Sequence, residues 1–204
     1  MDLVATSEIE TALAFLGRRR RVEIEIGSGN GHFLTEYGKR FPECGLLGIE
    51  TKNRRCGKIQ KKIRTNALDN ILLYQGRAES LFERLAPGSV DAVHIYYPDP
   101  WPKAKHRRRR LFKMPALEVF YRVLKTGGRV FFATDVFDYY IQAKVLGLLH
   151  GGFAVPAESL PPEATLSMFS LKTQAAGRPL KGLVLQKTER PRAPAGPEPD
   201  YSGS

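Results

Sequence analysis

From Val22 onward, short apolar runs alternate with amphipathic segments. The spacing predicts strand 22–26, helix 31–40, strand 46–50, helix 54–65, strand 71–74, helix 79–85 and strand 90–95, a rhythm that specifies βαβ units and a parallel sheet. A polar loop follows, then a helix near 111–124, the turn Lys125-Thr-Gly-Gly128, strand 129–134 and helix 137–149. Gly151-Gly152 precedes a short strand at 153–155, and the last strand-like run is 182–187. The fold expected is α/β and Rossmann-like: a doubly wound, mostly parallel seven-stranded sheet with an antiparallel last strand. Upstream, Ser7-x-x-Glu10 reads as a capping box for a short helix around 8–16, within an N-terminal extension of residues 1–21. The domain proper spans 22–190. Residues 191–204 are dense in proline and lack apolar periodicity, so disorder is expected there.

Composition narrows the function classes. The chain has 204 residues and 42% hydrophobic content, enough for one full core and too little for two ordinary domains. Lys plus Arg number 32 against 21 for Asp plus Glu, a formal charge of +11, for which a polyanionic partner is the simplest reason. Cys44 and Cys56 fit neither a metal-ligand spacing nor a disulfide framework, which favours a reducing cytosol. His32, His94 and His150 are scattered and His106 sits in a basic run, so no metal is expected. No secretory signal or membrane-spanning run is present, and the expectation is a cytoplasmic protein, monomer or homodimer, without membrane partners.

The first strand turns through Glu25-x-Gly-x-Gly-x-Gly31 into a helix. Gly27, Gly29 and Gly31 let the backbone turn tightly and approach a ligand closely, which points to a nucleoside-bearing cofactor. A dinucleotide motif asks for Gly where His32 stands, whereas the acidic-x-Gly-x-Gly-x-Gly spacing matches the first motif of S-adenosylmethionine (SAM) methyltransferases. In open α/β sheets ligands sit beyond the carboxyl ends of the strands, and here those ends are polar. Strand two ends in Gly48-Ile-Glu50, a carboxylate for two ribose hydroxyls or for capping a helix. Strand three ends in Gly76-Arg-Ala-Glu79, near an expected adenine edge, with Arg77 and Ala78 as candidates; a plain loop and helix start explains the same residues.

Strand four delivers Ile95-Tyr-Tyr-Pro-Asp-Pro-Trp-Pro-Lys-Ala-Lys-His-Arg-Arg-Arg-Arg-Leu111. Prolines 98, 100 and 102 restrict φ and present Asp99 and Trp101 on a stiff turn. Lys103, Lys105, His106, Arg107, Arg108, Arg109 and Arg110 then crowd into eight residues, a run that reads as a phosphate-backbone anchor or as a solvated face. Strand five ends at Thr134-Asp135, where Asp135 either accepts from a guanine edge or caps a helix.

Together, Glu25-x-Gly-x-Gly-x-Gly31, Gly48-Ile-Glu50, Pro98-Asp-Pro-Trp-Pro-Lys103 with its trailing basic run, and Thr134-Asp135 resemble the bacterial tRNA (guanine-N7)-methyltransferase family over roughly residues 20 to 188. The resemblance implies a class I fold and methyl transfer from SAM to N7 of the guanine in the tRNA variable loop, position 46 in tRNA numbering. By that similarity Glu25, Glu50 and Asp99 line the cofactor site, Asp99 is also the catalytic residue, and Lys103 and Asp135 meet the substrate. Arg77 stands where the family has Asp or Asn, and an arginine cannot accept from an adenine amino group. A Thr-x-x-Glu segment that helps hold the base in the family corresponds here to Ser167 and Ser170, so base recognition leans on Asp135. A small-molecule or protein methyltransferase would share the glycines and Glu50 without needing the arginines. A silent RNA-binding domain would need the arginines without the acidic rim, and a nicotinamide oxidoreductase would want glycine at position 32.

Overall fold

In the computed structural model, residues 3–157, 159–166, 177 and 180–189 are described. Ser167, Ser170 and the proline-rich tail lie outside the described residues. The elements run α1 (Leu3–Gly17), β1 (Arg21–Ile26), α2 (His32–Arg40), β2 (Cys44–Glu50), α3 (Asn53–Thr65), β3 (Ile71–Gln75), α4 (Ala78–Arg84) and β4 (Val90–Tyr96). A 3₁₀ helix over Ala104–Arg109 follows, then α5 (Met114–Val123), β5 (Leu124–Thr134), α6 (Phe137–Leu149), β6 (Phe153–Ala154), a second 3₁₀ helix (Pro162–Leu166) and β7 (Lys181–Lys187).

The strand order is β3-β2-β1-β4-β5-β7-β6, parallel except for the β7 ladders to β5 and β6. Alternate residues of the central strands point to opposite faces. Val22, Ile24, Val93, Ile95, Val130 and Phe132 pack beneath α1, α4, α5 and α6, and a second apolar cluster joins the other face to α2, α3 and the second 3₁₀ helix. Order reverses between β1 and β4, and this topological switch places the loops after both strands on one rim.

Most boundaries shift by a residue or two, and three differences from the sequence expectation change the local reading. Helix α1 begins at Leu3, so Ser7 lies inside it, not at its start. Helix α5 starts at Met114 instead of 111, with Pro115 in its first turn where the missing N–H costs no hydrogen bond. The turn expected at 125–128 is part of β5 in an irregular form: the ladder jumps from Val90–Leu124 to Ala92–Arg129, so these residues bulge out of it.

Candidate active site

The rim forms because β1 and β2 end side by side. Gly27 N and Ser28 N both donate to Ile49 O at 2.9 Å, and Gly31 N to Ser28 O at 2.7 Å, folding the glycine turn back over β2. Gly27 and Gly31 have φ of +79° and +73°, a region that disfavours side chains; a Cβ on Gly31 would also stand 2.9 Å from Ile59 of α3. Glu50, at the end of β2, accepts from Gly29 N at 3.0 Å through one oxygen, and from Thr51 N at 2.8 Å and Lys52 N at 3.0 Å through the other. Glu50 is thus not the exposed helix-capping acid read as the alternative: it is buried, and α3 begins at Asn53 after an N-cap, Lys52, that has no side-chain cap bond. Its carboxylate also borders a cavity.

That cavity, about 350 Å³, brings together Gly27, Glu50, Arg77, Ala78 and Asp99 from the loops after β1, β2, β3 and β4. Its walls add Ile26, Ile49, Thr51 and Leu111, and Glu79, a carboxylate in the first turn of α4 that faces Arg77 at 3.4 Å. Gly29, Gly31 and Glu25 do not line it. Glu25 sits beside it, 4% exposed, with Oε2 lacking a hydrogen-bond partner in the protein, as does Ser28 Oγ. Burial pushes the Glu25 carboxyl up to about 7; the neighbouring Ser28 hydroxyl, short of a full hydrogen bond, opposes the rise, and the Glu50 charge adds to it.

Beyond the cavity, the chain after β4 is held in an uncommon backbone conformation. Tyr97 and Trp101 have φ of +50° and +42°, bracketing Pro98-Asp99-Pro100, and Tyr97 N donates to Ala133 O at 2.8 Å. Asp99 is exposed on this platform. The basic run forms a 3₁₀ helix instead of a loop, and its members separate by environment. Lys103, Lys105, Arg107, Arg108 and Arg109 are exposed; the Arg109 guanidinium lies 5.0 Å from the Trp101 ring centroid, and Arg107 meets Asp138 at 3.0 Å.

Arg110 departs from the expectation of a phosphate anchor. It is 1% exposed, donates to Pro100 O at 2.8 Å, Gln142 Oε1 at 2.6 Å and Asp138 Oδ2 at 2.8 Å, and lies over the Tyr139 ring. A guanidinium so enclosed cannot reach a solvent-side phosphate. Asp135 follows β5 on the same rim, but the N-cap position of α6 belongs to Val136, whose N–H donates to Thr134 Oγ1 at 3.1 Å.

A second polar cluster, behind the glycine turn, escaped the sequence reading. His94 of β4 is fully buried, with Nε2 2.6 Å from Glu23 Oε2 and Nδ1 2.8 Å from the Tyr96 hydroxyl. Arg21 meets the other Glu23 oxygen at 2.6 Å. Burial alone would raise the Glu23 pKa, but His94 and Arg21 together hold it down at about 2. The available signal was the alternation of Glu23 and Glu25 within an apolar strand. Among the described residues, no group of three or more His, Cys, Asp or Glu could hold a metal ion, and no helix is long and apolar enough to cross a membrane.

Comparison with known proteins bears on this rim. A family model described as "Putative methyltransferase" matches residues 19–176. A tRNA (guanine-N(7)-)-methyltransferase of Agrobacterium fabrum is 39% identical over 159 residues, covering 78% of this chain and 68% of the relative. Proteins of the same description from Rhodopirellula baltica and Nitrosococcus oceani are 31% and 35% identical, covering 91% and 74% of this chain and 72% and 64% of their own lengths. The chain thus spans about two thirds of the length of these relatives. Among solved structures, the 16S rRNA methyltransferase KamB matches with TM-score 0.64 at 18% identity, covering 87% of this chain and 92% of KamB. A 30S ribosomal A1408 methyltransferase from an uncultured bacterium matches with TM-score 0.61 at 16% identity, covering 88% and 94%. The sheet is that of the class I methyltransferases.

Proposed function

Because the chain belongs to the tRNA (guanine-N7)-methyltransferase family, we propose that it methylates N7 of a guanine in tRNA, position 46 of the variable loop, with SAM as donor. The observation that carries this reading is one loop: Asp99 borders the cavity, and the exposed 3₁₀ helix of Lys105 and Arg107–Arg109 begins five residues later. A cofactor pocket and a polyanion-binding surface are thereby continuous.

The residues present fit SAM. Glu25 Oε2 is a buried acceptor without a protein donor, and Glu50, Glu79 and Asp99 place carboxylates around the adjacent space, Glu50 facing Arg55 and Glu79 facing Arg77, each at 3.4 Å. A ligand bearing an ammonium, a sulfonium and a ribose diol supplies the cations and donors such a set needs. Glu50 suits the ribose hydroxyls, and the open side of Gly27 lets the ligand approach the backbone. Glu79 supplies the acceptor for the adenine amino group that Arg77 cannot.

SAM would supply an electrophilic methyl: the in-plane lone pair of guanine N7 would form the new carbon–nitrogen bond in line as the methyl–sulfur bond breaks and the neutral thioether leaves. No proton has to leave that nitrogen, so the work of the protein is alignment, an effect worth several kcal/mol. Asp99 holds the methionine portion or the base while positive charge moves onto guanine. Lys103 and Asp135 meet the base and its surroundings, Asp135 accepting from guanine N–H donors. Arg107, Arg108 and Arg109 take the phosphates, and Trp101, braced by Arg109, stiffens the platform between the two ligands.

The test is incubation of the protein with labelled SAM and unmodified tRNA, followed by mapping of the label. N7-methylguanine at position 46 is the expected product. Label in another base, or only in protein, refutes the reading.

A further inference from the structure

Of the four consecutive arginines, one has a role that its neighbours do not share. Pro98-Asp99-Pro100 is bracketed by two non-glycine residues with positive φ, Tyr97 and Trp101, the only such residues besides Ala67 among those described. A backbone of this kind persists only where its surroundings over-determine it. On the upstream side the restraint is the bond from Tyr97 N to Ala133 O. On the downstream side it is Arg110, whose Nε donates to Pro100 O, the carbonyl immediately after Asp99, while its two terminal nitrogens are fixed by Gln142 and Asp138 of α6. Gln142 is itself oriented, donating to Phe112 O at 3.0 Å, and Phe112 N donates to the Tyr139 hydroxyl at 3.1 Å. The fork therefore ties the Asp99 platform to a helix that lines no part of the cofactor cavity.

We propose that Arg110 is a positioning residue for methyl transfer: its buried guanidinium clamps Pro100 to α6 and so fixes where Asp99 stands, and it binds no RNA. This rests on the methyltransferase reading above. The geometry explains why an arginine is required. Three acceptors, two side chains and one carbonyl, are met at once by a planar fork, which the single ammonium of lysine cannot reproduce. Asp138 is shared, since Arg107 meets the same oxygen at 3.0 Å from the solvent side. One carboxylate thus joins an RNA-facing cation to the platform clamp.

The experiment compares wild type, Arg110→Lys, Asp138→Asn and Arg108→Ala, each shown by thermal melting to be folded at the assay temperature. Single-turnover methylation at saturating SAM and tRNA is measured alongside tRNA affinity across a salt series. Arg110→Lys should lower the single-turnover rate roughly tenfold or more, the scale of a modest misplacement at a reacting centre. Its tRNA affinity and salt slope should match wild type. Asp138→Asn, at a half-exposed position, should lower the rate several-fold without weakening tRNA binding, because it loosens Arg110 and removes a competitor for Arg107. Arg108→Ala should show the contrasting profile, weaker tRNA binding with a flatter salt slope. If Arg110→Lys shows the Arg108→Ala profile, or if either Arg110→Lys or Asp138→Asn keeps the wild-type rate, the clamp is refuted. Should Arg110→Lys not fold, Asp138→Asn decides alone. An inactive wild type would instead overturn the proposed function, so the two failures are distinguishable.

Discussion

Replacing Glu25 by Gln separates two consequences of burying a carboxylate beside a cavity. The folded protein raises this carboxyl from 4.5 to about 7, which corresponds to about 3 kcal/mol between its two protonation states. A raised carboxyl pKa means that the folded chain holds the proton more tightly than the unfolded chain does. Below about pH 4.5 both forms are protonated and the site costs nothing; from there to about pH 7 stability is progressively lost, and above pH 7 the full penalty is present. Glutamine cannot ionise, so its own cost, an amide facing an unpartnered pocket, is the same at every pH. The variant should therefore gain on wild type between pH 5 and pH 8 by up to about 3 kcal/mol, roughly 6–10 °C in melting temperature for a chain of this size. Melting curves without cofactor at the two pH values measure it. SAM titrations supply the other half: a bound cation favours ionised Glu25, so wild-type affinity should rise from pH 5 to pH 7 with proton release, and the variant should lose both affinity and that dependence. An equal melting shift at both pH values would refute the burial argument, and a pH-independent wild-type affinity would remove Glu25 from the cofactor's surroundings.

Three further outcomes follow from the geometry. Asp99→Ala should keep most tRNA affinity while losing most of the methylation rate, as a filter-binding assay beside a turnover assay would reveal; unchanged turnover removes it from the reaction. Replacing Arg107, Arg108 and Arg109 together by Ala should reduce the slope of log affinity against log salt by about 2–3, one per lost phosphate contact, and an unchanged slope means the anchor lies elsewhere. Glu23→Gln should destabilise the protein by on the order of 3 kcal/mol at neutral pH, since it breaks a buried charged cluster. Because the Glu23 pKa is lowered to about 2, its contribution is present above about pH 4.5 and lost as pH falls towards 2. The difference in melting temperature should shrink as the pH is lowered through that window, and a constant difference would be inconsistent with an ionised Glu23.

The alternation of strand and helix was legible because period and punctuation are local properties, and the glycine turn because positive φ leaves few other residues to choose from. The candidate cavity could be read from strand ends, since the fold class dictates where they converge. Contacts that depend on distant partners could not. Glu23 and His94 lie 71 positions apart and meet only because β1 pairs with β4. Arg110 is chemically identical to Arg107, Arg108 and Arg109, and what distinguishes it is the direction in which the chain leaves the 3₁₀ helix towards Phe112 and α6. Glu79 was visible as an acid in a first helical turn, yet its place on the same wall as Arg77 needed the path of β3 into α4. At Lys125–Gly128 the composition correctly signalled departure from the ladder and the strand that follows, but not that Leu124, ahead of it, would already pair with Val90.

The order of β6 and β7 bears on synthesis of the chain. Strand β6 pairs with β7 and, among the described residues, with no other strand, although it precedes β7 by more than twenty residues. As the chain emerges from a ribosome, Phe153–Ala154 has no ladder to join until Lys181–Lys187 has inserted beside β5. A product ending before residue 181 forfeits two strands and leaves the edge of β5 bare, a template for pairing with other chains. Premature termination should thus be punished by aggregation, even though the residues around the cavity would all have been made.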